Sequence, residues 1–322
     1  MSVIDLNGLN IYFRNNHSDI NIVKDLNLQI QSSQTYGLVG ESGCGKSITA
    51  YSIMGILPQR AYSSGKIIFM GNDLSTLTPE EMRKLRGNKI SMIFQEPMTS
   101  LNPVLTIGSQ ISEVLITHKD MSKKDAKDKA AQLLTSVKIP SPILRYKDYP
   151  HQLSGGMRQR VMIAMAIACK PSLLIADEPT TALDVTIAAQ ILSLLNQIQQ
   201  EFNTSILLIT HDLAIISENT VMTSVMYAGS IVEQSPTSEL FNNPLHPYTI
   251  GLLNSLPSNK SISLTPIPGT VPRPGNLPPG CRFSDRCESK IEQCSISEPE
   301  LKEHSQGHLV RCIRVGDNHH GG

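Results

Sequence analysis

The sequence is poor in aromatic residues and has no long apolar run. Phe, Trp and Tyr make up 4% of its 322 residues, and tryptophan is absent. Membrane-spanning proteins place Trp and Tyr at both membrane surfaces, and a spanning helix needs about 20 mostly apolar residues. The N-terminus, Met-Ser-Val-Ile-Asp-Leu, also lacks the basic and then apolar pattern of a signal peptide. We therefore expect a protein that is made and kept in the cytosol.

The sequence also lacks an excess of charge of either sign. Lys and Arg together number 28, as do Asp and Glu, so the formal net charge is zero. Proteins held on nucleic acid by bulk electrostatics carry an excess of positive charge, so we expect no nucleic-acid partner. Hydrophobic residues make up 40%, which is enough for a core, and the length suggests two domains or one large domain with an appendage.

Strands and helices alternate through the first 256 residues. Apolar patterns predict strands at 3–13, 26–30, 36–40, 67–70, 90–94, 173–176 and 206–210. They predict helices at 47–57, over most of 106–138, at 155–168 and at 186–201. A further helix should begin at Thr78-Pro79-Glu80-Glu81, which has the pattern of a capping box. This order predicts an α/β fold with a parallel sheet covered on both faces, and the short strands near both ends suggest an antiparallel addition.

The composition changes after Leu256. Residues 257–279 hold seven of the twenty prolines, and four of the six cysteines follow them. Because proline fixes φ and removes a backbone donor, this stretch should be extended and poor in hydrogen bonds. We therefore predict a domain at 1–256 and a C-terminal extension at 257–322.

One stretch of eight residues has the pattern of a phosphate-binding loop. Gly40-Glu41-Ser42-Gly43-Cys44-Gly45-Lys46-Ser47 fits G-x-x-x-x-G-K-[ST] completely. The glycines let backbone N–H groups converge on phosphate oxygens at the start of a helix. Lys46 should place its charge on the β and γ phosphates, and the Ser47 hydroxyl should ligate Mg²⁺.

Two carboxylates follow the predicted strand at 173–176. Asp177 is suited to holding Mg²⁺, directly or through water, and Glu178 to polarising an attacking water. An Asp-Glu-Pro sequence after a strand could also be a plain turn. The phosphate loop upstream favours the catalytic interpretation.

A third motif narrows the class of nucleotide-binding protein. Leu153-Ser154-Gly155-Gly156-Met157-Arg158-Gln159-Arg160 resembles the signature motif of ATP-binding-cassette (ABC) ATPases. The resemblance covers residues 3–256, and the other motifs of that family occur in the expected order along the chain. These motifs are Phe13 with Tyr12 as the aromatics that stack on adenine, Gln95 as the Q-loop glutamine, Ala182-Leu183-Asp184 as the D-loop and His211 as the switch histidine.

The resemblance implies a P-loop NTPase fold with a parallel sheet core, an antiparallel β subdomain and a helical subdomain at about 96–165. It implies that Ser47, Gln95 and Asp177 hold Mg²⁺, and that Glu178, His211 and Gln95 take part in hydrolysis. Two cassettes would close head to tail over two ATP molecules. Ser154, Gly155 and Gly156 would then cap the ATP held by the partner cassette, with Asp184 nearby.

Two regions resemble transporter ATPases. One runs from Phe94 to Pro103 after Gln95, and the other is Asn243-Pro244-Leu245-His246-Pro247-Tyr248-Thr249 with the proline-rich stretch. The latter resembles the C-terminal extension of oligopeptide, dipeptide and nickel importer ATPases, most closely the D-type ATPase subunits of dipeptide permeases.

That resemblance implies a peripheral subunit on the cytoplasmic face of the cell membrane that powers import of dipeptides or short oligopeptides. Its partners would be a related second ATPase, two membrane permease subunits and, indirectly, an extracytoplasmic peptide-binding protein. Import of nickel or another chelated metal is the first alternative. The second is a soluble cassette ATPase acting on DNA or ribosomes, but the sequence shows neither the basic groove nor the coiled-coil insertion expected of one.

The cysteines of the extension are spaced as Cys281-x5-Cys287-x6-Cys294-x17-Cys312. Cytosolic disulfides are rare, and thiolates gather where a metal neutralises them. Zinc sites usually have closer cysteine pairs, whereas the spacing of iron–sulfur ligands varies, and some peptide-importer ATPases carry a [4Fe–4S] cluster in this extension. We expect such a cluster, with Zn²⁺ as one alternative and free thiols or redox disulfides as the other. Cys44 is expected to be a small filler residue, the alternative being a thiol activated by the helix N-terminus.

Overall fold

The computed structural model describes residues 1–15, 18–96, 100–256 and 267–315. Its strands are β1 (Ser2–Phe13), β2 (Ile20–Gln31), β3 (Thr35–Val39), β4 (Ala61–Phe69), β5 (Asn72–Asp73), β6 (Ile90–Ile93), β7 (Leu173–Asp177), β8 (Ser205–Thr210), β9 (Met222–Tyr227), β10 (Ser230–Pro236), β11 (Lys302–Ser305) and β12 (His308–Val310). Its helices are α1 (Lys46–Met54), α2 (Pro79–Leu85), α3 (Ile107–Lys119), α4 (Lys123–Ser136), α5 (Pro142–Arg145), α6 (Gly155–Ile167), α7 (Val185–Phe202), α8 (Leu213–Asn219), α9 (Thr237–Asn242) and α10 (Pro247–Asn254).

The elements form two compact units. The first consists of Met1–Ile4, Ile30–Gln34 and Phe69–Ile209, and the second of Asp5–Gln29, Thr35–Ile68 and Thr210–Gly322. The phosphate-loop sequence and the cysteine-rich extension therefore belong to the same unit.

The first unit is built on parallel strands. β7 pairs in parallel with β6 on one side and with β8 on the other. Every residue of these three strands is buried, which explains why they appear in the sequence as continuous apolar runs. Helix α7 buries Ile191, Leu194, Leu195 and Ile198, a spacing that places them on one face. This is the parallel, helix-covered arrangement that the sequence predicts.

The second unit contains two sets of paired strands. In one, β1 lies between β2 and β4. In the other, β3 pairs in parallel with β9, and the order β9, β10, β12, β11 continues in antiparallel pairs. The antiparallel addition expected from the short strands is therefore present.

An aromatic core joins β9, α10 and the C-terminal extension. The rings of Tyr227 and Tyr248 are 4.7 Å apart, and that of Phe283 lies 5.2 Å from Tyr227 and 5.4 Å from Tyr248. Tyr227 and Tyr248 are fully buried and Phe283 is 3% exposed. Since such tilted and edge-to-face rings add stability beyond their buried area, the extension packs into the core of this unit.

Most predicted elements are confirmed to within a few residues. The capping box of α2 forms, because the Thr78 side chain accepts from the Glu81 N–H and the Glu81 carboxylate accepts from the Thr78 N–H. The helical stretch expected at 106–138 is two helices, since Asp120 turns left-handed at the end of α3 and Ser122 caps α4. β4 begins six residues before the predicted strand at 67–70. The hydrophobic pattern missed these first six residues because they are not buried and do not alternate between apolar and polar.

Some expectations fall on residues outside the described ranges. These are Pro97-Met98-Thr99 after the Q-loop glutamine, the first part of the proline-rich stretch at 257–266, and residues 316–322. The described remainder of the proline-rich stretch, 267–279, contains no helix or strand. No helix in the described parts of the chain is long and apolar enough to cross a membrane.

Candidate functional site

The phosphate-loop sequence connects the buried strand β3 to helix α1. A side chain at Gly40 is impossible without rearrangement, because its Cβ would lie 2.1 Å from the carbonyl oxygen of Met226. The carbonyl oxygen of Cys44 also accepts a 2.8 Å hydrogen bond from the N–H of Gly229. The loop is therefore held against the turn between β9 and β10 and leads directly into the N-terminus of α1, where an anion is favoured.

Lys46 folds back over this loop. Its side chain is buried, and its Nζ donates to the carbonyl oxygens of Gly40 at 2.7 Å and Glu41 at 3.0 Å. The ammonium group is thus already at the loop before any phosphate binds. Ser47 lies half-buried in the first turn of α1.

Cys44 behaves as a core residue of the loop. It is 1% exposed and has no disulfide partner. Burial raises the pKa of the Cys44 thiol above its ordinary value, whereas an activated cysteine needs a lowered pKa. This favours the filler role over the redox-sensitive one.

The aromatic residues expected to contact adenine lie at the end of β1. Tyr12 and Phe13 are half-buried, and the ring of Tyr12 stacks on Tyr62 with centroids 5.1 Å apart. Tyr62, on the exposed half of β4, was missed by the sequence reasoning because no pattern distinguishes it.

In the first unit, the carboxylates follow β7 as expected. Asp177 ends the strand fully buried, and Glu178 adopts a left-handed φ of 46°. A non-glycine residue in this region is strained, and such strain is often found at functional positions. The Glu178 Oε2 accepts hydrogen bonds from Gln95 Nε2 at 3.0 Å and from Thr181 Oγ1 at 2.8 Å.

The structure thus brings Gln95 and Glu178 together and adds Thr181. Sequence reasoning missed Thr181, although it is only three residues from Glu178 and a threonine hydroxyl can donate to a nearby carboxylate. His211 directly follows β8, in the second unit, and is exposed.

The signature residues line a cavity of the first unit. Ser154 caps α6 by accepting from the Met157 N–H at 3.3 Å, and Asp184 caps α7 by accepting from the Ile187 N–H at 2.9 Å. A cavity of about 680 Å³ is lined by both caps together with Gly155, Gly156, Ala182 and Leu183. The helix N-termini on its wall make it suited to an anion.

The four cysteines of the extension converge. Cys281, Cys287, Cys294 and Cys312 line one cavity, and none forms a disulfide. Burial raises the pKa of Cys281 to about 11, with a further contribution from the other three thiols. Burial also raises the pKa of Cys287 and Cys312. These thiols would therefore ionise at neutral pH only if a cation joined them.

The expected metal centre is not supported by this geometry. In the part of the chain that the structure describes, no group of three or more His, Cys, Asp or Glu side chains is arranged to hold a metal ion. What the structure establishes at this place is that the four cysteines line one cavity.

Two residues of the C-terminal region contact the phosphate loop and were missed as site residues. The Tyr248 hydroxyl accepts from the Glu41 N–H at 3.0 Å, and Arg286 donates to both oxygens of the Glu41 carboxylate. They are 207 and 245 residues away from Glu41 in the sequence, so no local pattern relates them to the loop.

Comparison with known proteins agrees with this arrangement. The family model described as "ABC transporter" matches residues 23–181, and that of the "Oligopeptide/dipeptide transporter, C-terminal region" matches residues 232–294. The oligopeptide transport ATP-binding protein AppD of Bacillus subtilis (strain 168) is 51% identical over 97% of this chain and 96% of its own length. This chain belongs to the ATP-binding subunits of the oligopeptide and dipeptide ABC transporter family.

Other members and cassettes are similar as well. The oligopeptide transport ATP-binding protein OppD of Escherichia coli (strain K12) is 46% identical over 97% of this chain and 93% of its own length. The dimeric post-hydrolysis structure of the ATP-binding cassette MJ0796 bound to ADP and Pi matches with a TM-score of 0.65 and 26% identity, over 73% of this chain and 98% of that one. The predicted family, the ABC-ATPase fold and the ATPase class are thereby confirmed.

Proposed function

We propose that this chain hydrolyses ATP to power the import of dipeptides and short oligopeptides. The observation that carries the proposal is the full-length similarity, at 46–51% identity, to proteins named as oligopeptide or dipeptide transport ATP-binding proteins. The match of residues 232–294 to the C-terminal region of that transporter family adds support. These relatives favour peptides over the nickel or metal-chelate alternative.

The nucleotide would bind at the phosphate loop. Backbone N–H groups of residues 40–47, other than the Glu41 N–H that donates to Tyr248, would bind the phosphates together with the Lys46 ammonium, and Tyr12 and Phe13 would stack on adenine. On binding, the Lys46 Nζ must leave the carbonyl oxygens of Gly40 and Glu41 for phosphate oxygens. Ser47, Asp177 and Gln95 would hold Mg²⁺, which supplies neutralisation of the phosphate charge.

Glu178 would be the general base for the attacking water. Gln95 and Thr181 both donate to its Oε2, which orients the carboxylate that would accept the water's proton. His211 would contact the γ-phosphate. Because the base is oriented by two donors before the substrate arrives, little reorganisation is needed at the transition state.

The cavity lined by Ser154, Gly155, Gly156 and Asp184 would receive the γ-phosphate of ATP held by a second cassette. We propose a related chain as that partner, in a heterodimer. Two integral membrane permease subunits would bind the pair at the cytoplasmic face of the cell membrane, with an extracytoplasmic peptide-binding protein as an indirect partner. No nucleic acid is expected to bind.

The four converging cysteines are proposed to hold a [4Fe–4S] cluster with a structural role. Four thiols that face one cavity without disulfides fit the Cys₄ ligand set. Cys281, Cys287, Cys294 and Cys312 would hold the cluster, which would tie together the loops that carry them. An anaerobically purified chain should contain about four iron atoms and show broad absorption near about 400 nm.

Two substitutions in the assembled transporter test the proposed function. Lys46→Ala should lower ATP affinity on the order of 100-fold, because it removes a charged phosphate ligand. Glu178→Gln should keep ATP affinity and lower hydrolysis about 100-fold or more. Equilibrium binding of a fluorescent ATP analogue and release of phosphate measure the two effects.

Uptake into vesicles distinguishes the substrates. The wild type should accumulate labelled dipeptide in an ATP-dependent manner, and neither Lys46→Ala nor Glu178→Gln should do so. Nickel uptake without dipeptide uptake would replace the peptide proposal by its alternative, and full ATP affinity in Lys46→Ala would refute the phosphate-loop assignment.

A further inference from the structure

The phosphate loop carries a negative charge of its own. Glu41 is its second residue, and its side chain is about one-third exposed. A carboxylate in this position opposes the binding of a polyphosphate, because like charges at short range repel each other strongly where water is partly excluded. The loop can bind ATP tightly only if this charge is neutralised or directed elsewhere.

Arg286 supplies that neutralisation. One guanidinium nitrogen donates to Glu41 Oε2 at 2.7 Å, and the other donates to Oε1 at 3.1 Å. Such two-point pairing is the strongest form of the Arg–carboxylate interaction and also fixes the direction of the carboxylate. The Arg286 side chain is 5% exposed, so the pair is shielded from water on the arginine side.

The guanidinium is itself held from several directions. Its Nε donates to the carbonyl oxygen of Pro268 at 2.7 Å. It lies over the ring of Tyr227 at 5.7 Å and that of Phe283 at 6.0 Å, distances at which cation–π attraction operates. Arg286 therefore meets Glu41 with its conformation already fixed, and few rotamers are lost when the pair forms.

The backbone that carries Arg286 lies between two of the converging cysteines, Cys281 and Cys287. Arg286 ends a short 3₁₀ helix, Ser284–Arg286, and Cys287 follows it directly. On the other side of that helix, the Cys281 N–H donates to the carbonyl oxygen of Cys294 at 2.8 Å. The backbone that carries the guanidinium is thus fixed by the fold around the cysteines.

We propose that Arg286 is a positioning residue of the ATP site, which neutralises Glu41 and holds its carboxylate away from the incoming phosphates. The proposal rests on the assignment of the phosphate loop made above. It gives the C-terminal extension a direct part in nucleotide affinity. Arg286 does not touch the nucleotide itself and acts through Glu41.

The test is ATP affinity of the full chain in Arg286→Gln. We expect a loss of about ten-fold or more, measured by titration with a fluorescent ATP analogue, and a smaller loss in Arg286→Lys, which keeps the charge without the two-point geometry. In the assembled transporter, the KM for ATP should rise while kcat at saturating ATP changes little.

The decisive variant carries both Glu41→Gln and Arg286→Gln. If the damage comes from an unpaired carboxylate, removing the carboxylate restores ATP affinity to within about three-fold of the wild type. A merely structural role of Arg286 predicts no such rescue. The double variant binding no better than Arg286→Gln alone would overturn the proposal, as would normal affinity in Arg286→Gln.

Arg311→Gln is the matched control. Arg311 is half-buried, belongs to the same segment, and donates to the carbonyl oxygens of Ile231 and Pro299 rather than to the loop or to the turn that holds it. We expect ATP affinity within about three-fold of the wild type, and an equal loss in both arginine variants would point to general loosening of the segment and overturn the proposal.

Two further variants keep the outcomes separable. If Arg286→Gln does not fold, Arg286→Met, which keeps much of the buried volume without the charge, replaces it in both the single and the double variant. A loss of ATP affinity that Glu41→Gln reverses supports the proposal, and normal affinity or a loss that Glu41→Gln does not reverse overturns it. Lys46→Ala is run alongside. If Lys46→Ala binds ATP as tightly as the wild type, the phosphate site itself is rejected. If Lys46→Ala loses ATP affinity and Arg286→Gln does not, only the role of Arg286 is rejected.

Discussion

The phosphate loop, residues 40–47, and the cysteine-bearing segment, residues 281–312, meet at one ion pair but are built on opposite principles. The loop is a run of consecutive residues whose backbone forms the site, with glycine where the chain has no room for a side chain. The segment has little regular structure, and side chains separated along the sequence hold it in place. A backbone site can be recognised from eight residues, whereas a side-chain site can be recognised only once the fold has brought its members together.

The strongest way to break the loop is to add a single methyl group. Gly40→Ala would place a Cβ 2.1 Å from the Met226 carbonyl oxygen, so backbone must move at a cost of about 2 kcal/mol or more. Because the displaced backbone is the phosphate site, we expect ATP affinity to fall on the order of 100-fold, measured by titration with a fluorescent ATP analogue.

A glycine of the C-terminal region provides the control for that change. Gly307 also has a left-handed φ, 72°, but nothing lies within 4 Å of where its Cβ would be. Gly307→Ala should therefore lower unfolding stability by only about 1–2 kcal/mol and leave ATP binding intact. Equal ATP affinity in the two variants would contradict the steric account of Gly40.

The cysteine-bearing segment should be destabilised most by substitution of its thiols, not by changes to its backbone. Cys294→Ser removes one of the four converging sulfurs, and Cys169→Ser changes an equally buried cysteine elsewhere. If a cluster holds the segment, the first substitution should lower the unfolding temperature by several degrees more than the second, because metal binding contributes to folding free energy. Thermal melts and iron content of anaerobically purified chains measure this.

The two cysteine variants would melt alike if the thiols were simply packed. That result, together with an iron-free wild type, would leave the segment as an ordinary part of the aromatic core.

A smaller effect should come from the second contact between the loop and the C-terminal region. Tyr248→Phe removes the hydroxyl that accepts the Glu41 N–H, and one such hydrogen bond contributes about 1 kcal/mol. We expect ATP affinity to fall about three- to ten-fold. Tyr36→Phe is the control, because its buried hydroxyl bonds Ser224 instead, and an equal loss there would show that the effect is not specific to the loop.

The same contrast explains what the sequence could and could not predict. The strands that are buried on both faces, the capping box at Thr78 and the phosphate loop all depend on neighbouring residues, and they were predicted. Thr181 could have been found from its spacing to Glu178. Tyr62 and Arg286 could not, because a half-buried tyrosine on a strand or an arginine beside a cysteine has no distinguishing pattern until its partner is known.

The family resemblance singled out residues that local physics could not, such as Gln95, whose contact with Glu178 the structure then revealed. It also favoured an iron–sulfur cluster at the four cysteines, which the described part of the structure brings to one cavity without forming a ready-made ligand group for a single metal ion. Sequence spacing cannot give the distances between sulfurs, since those depend on how the connecting loops fold.

The ion pair between Glu41 and Arg286 also orders events during synthesis of the chain. Its two residues are separated by 245 positions, so a ribosome adding about 5–20 residues per second needs roughly 12–50 s to reach the second after the first. During that interval the nascent cassette already contains every residue of its phosphate loop, but the carboxylate has no counter-ion. The chain should therefore reach its full affinity for ATP only after nearly all of it has been translated.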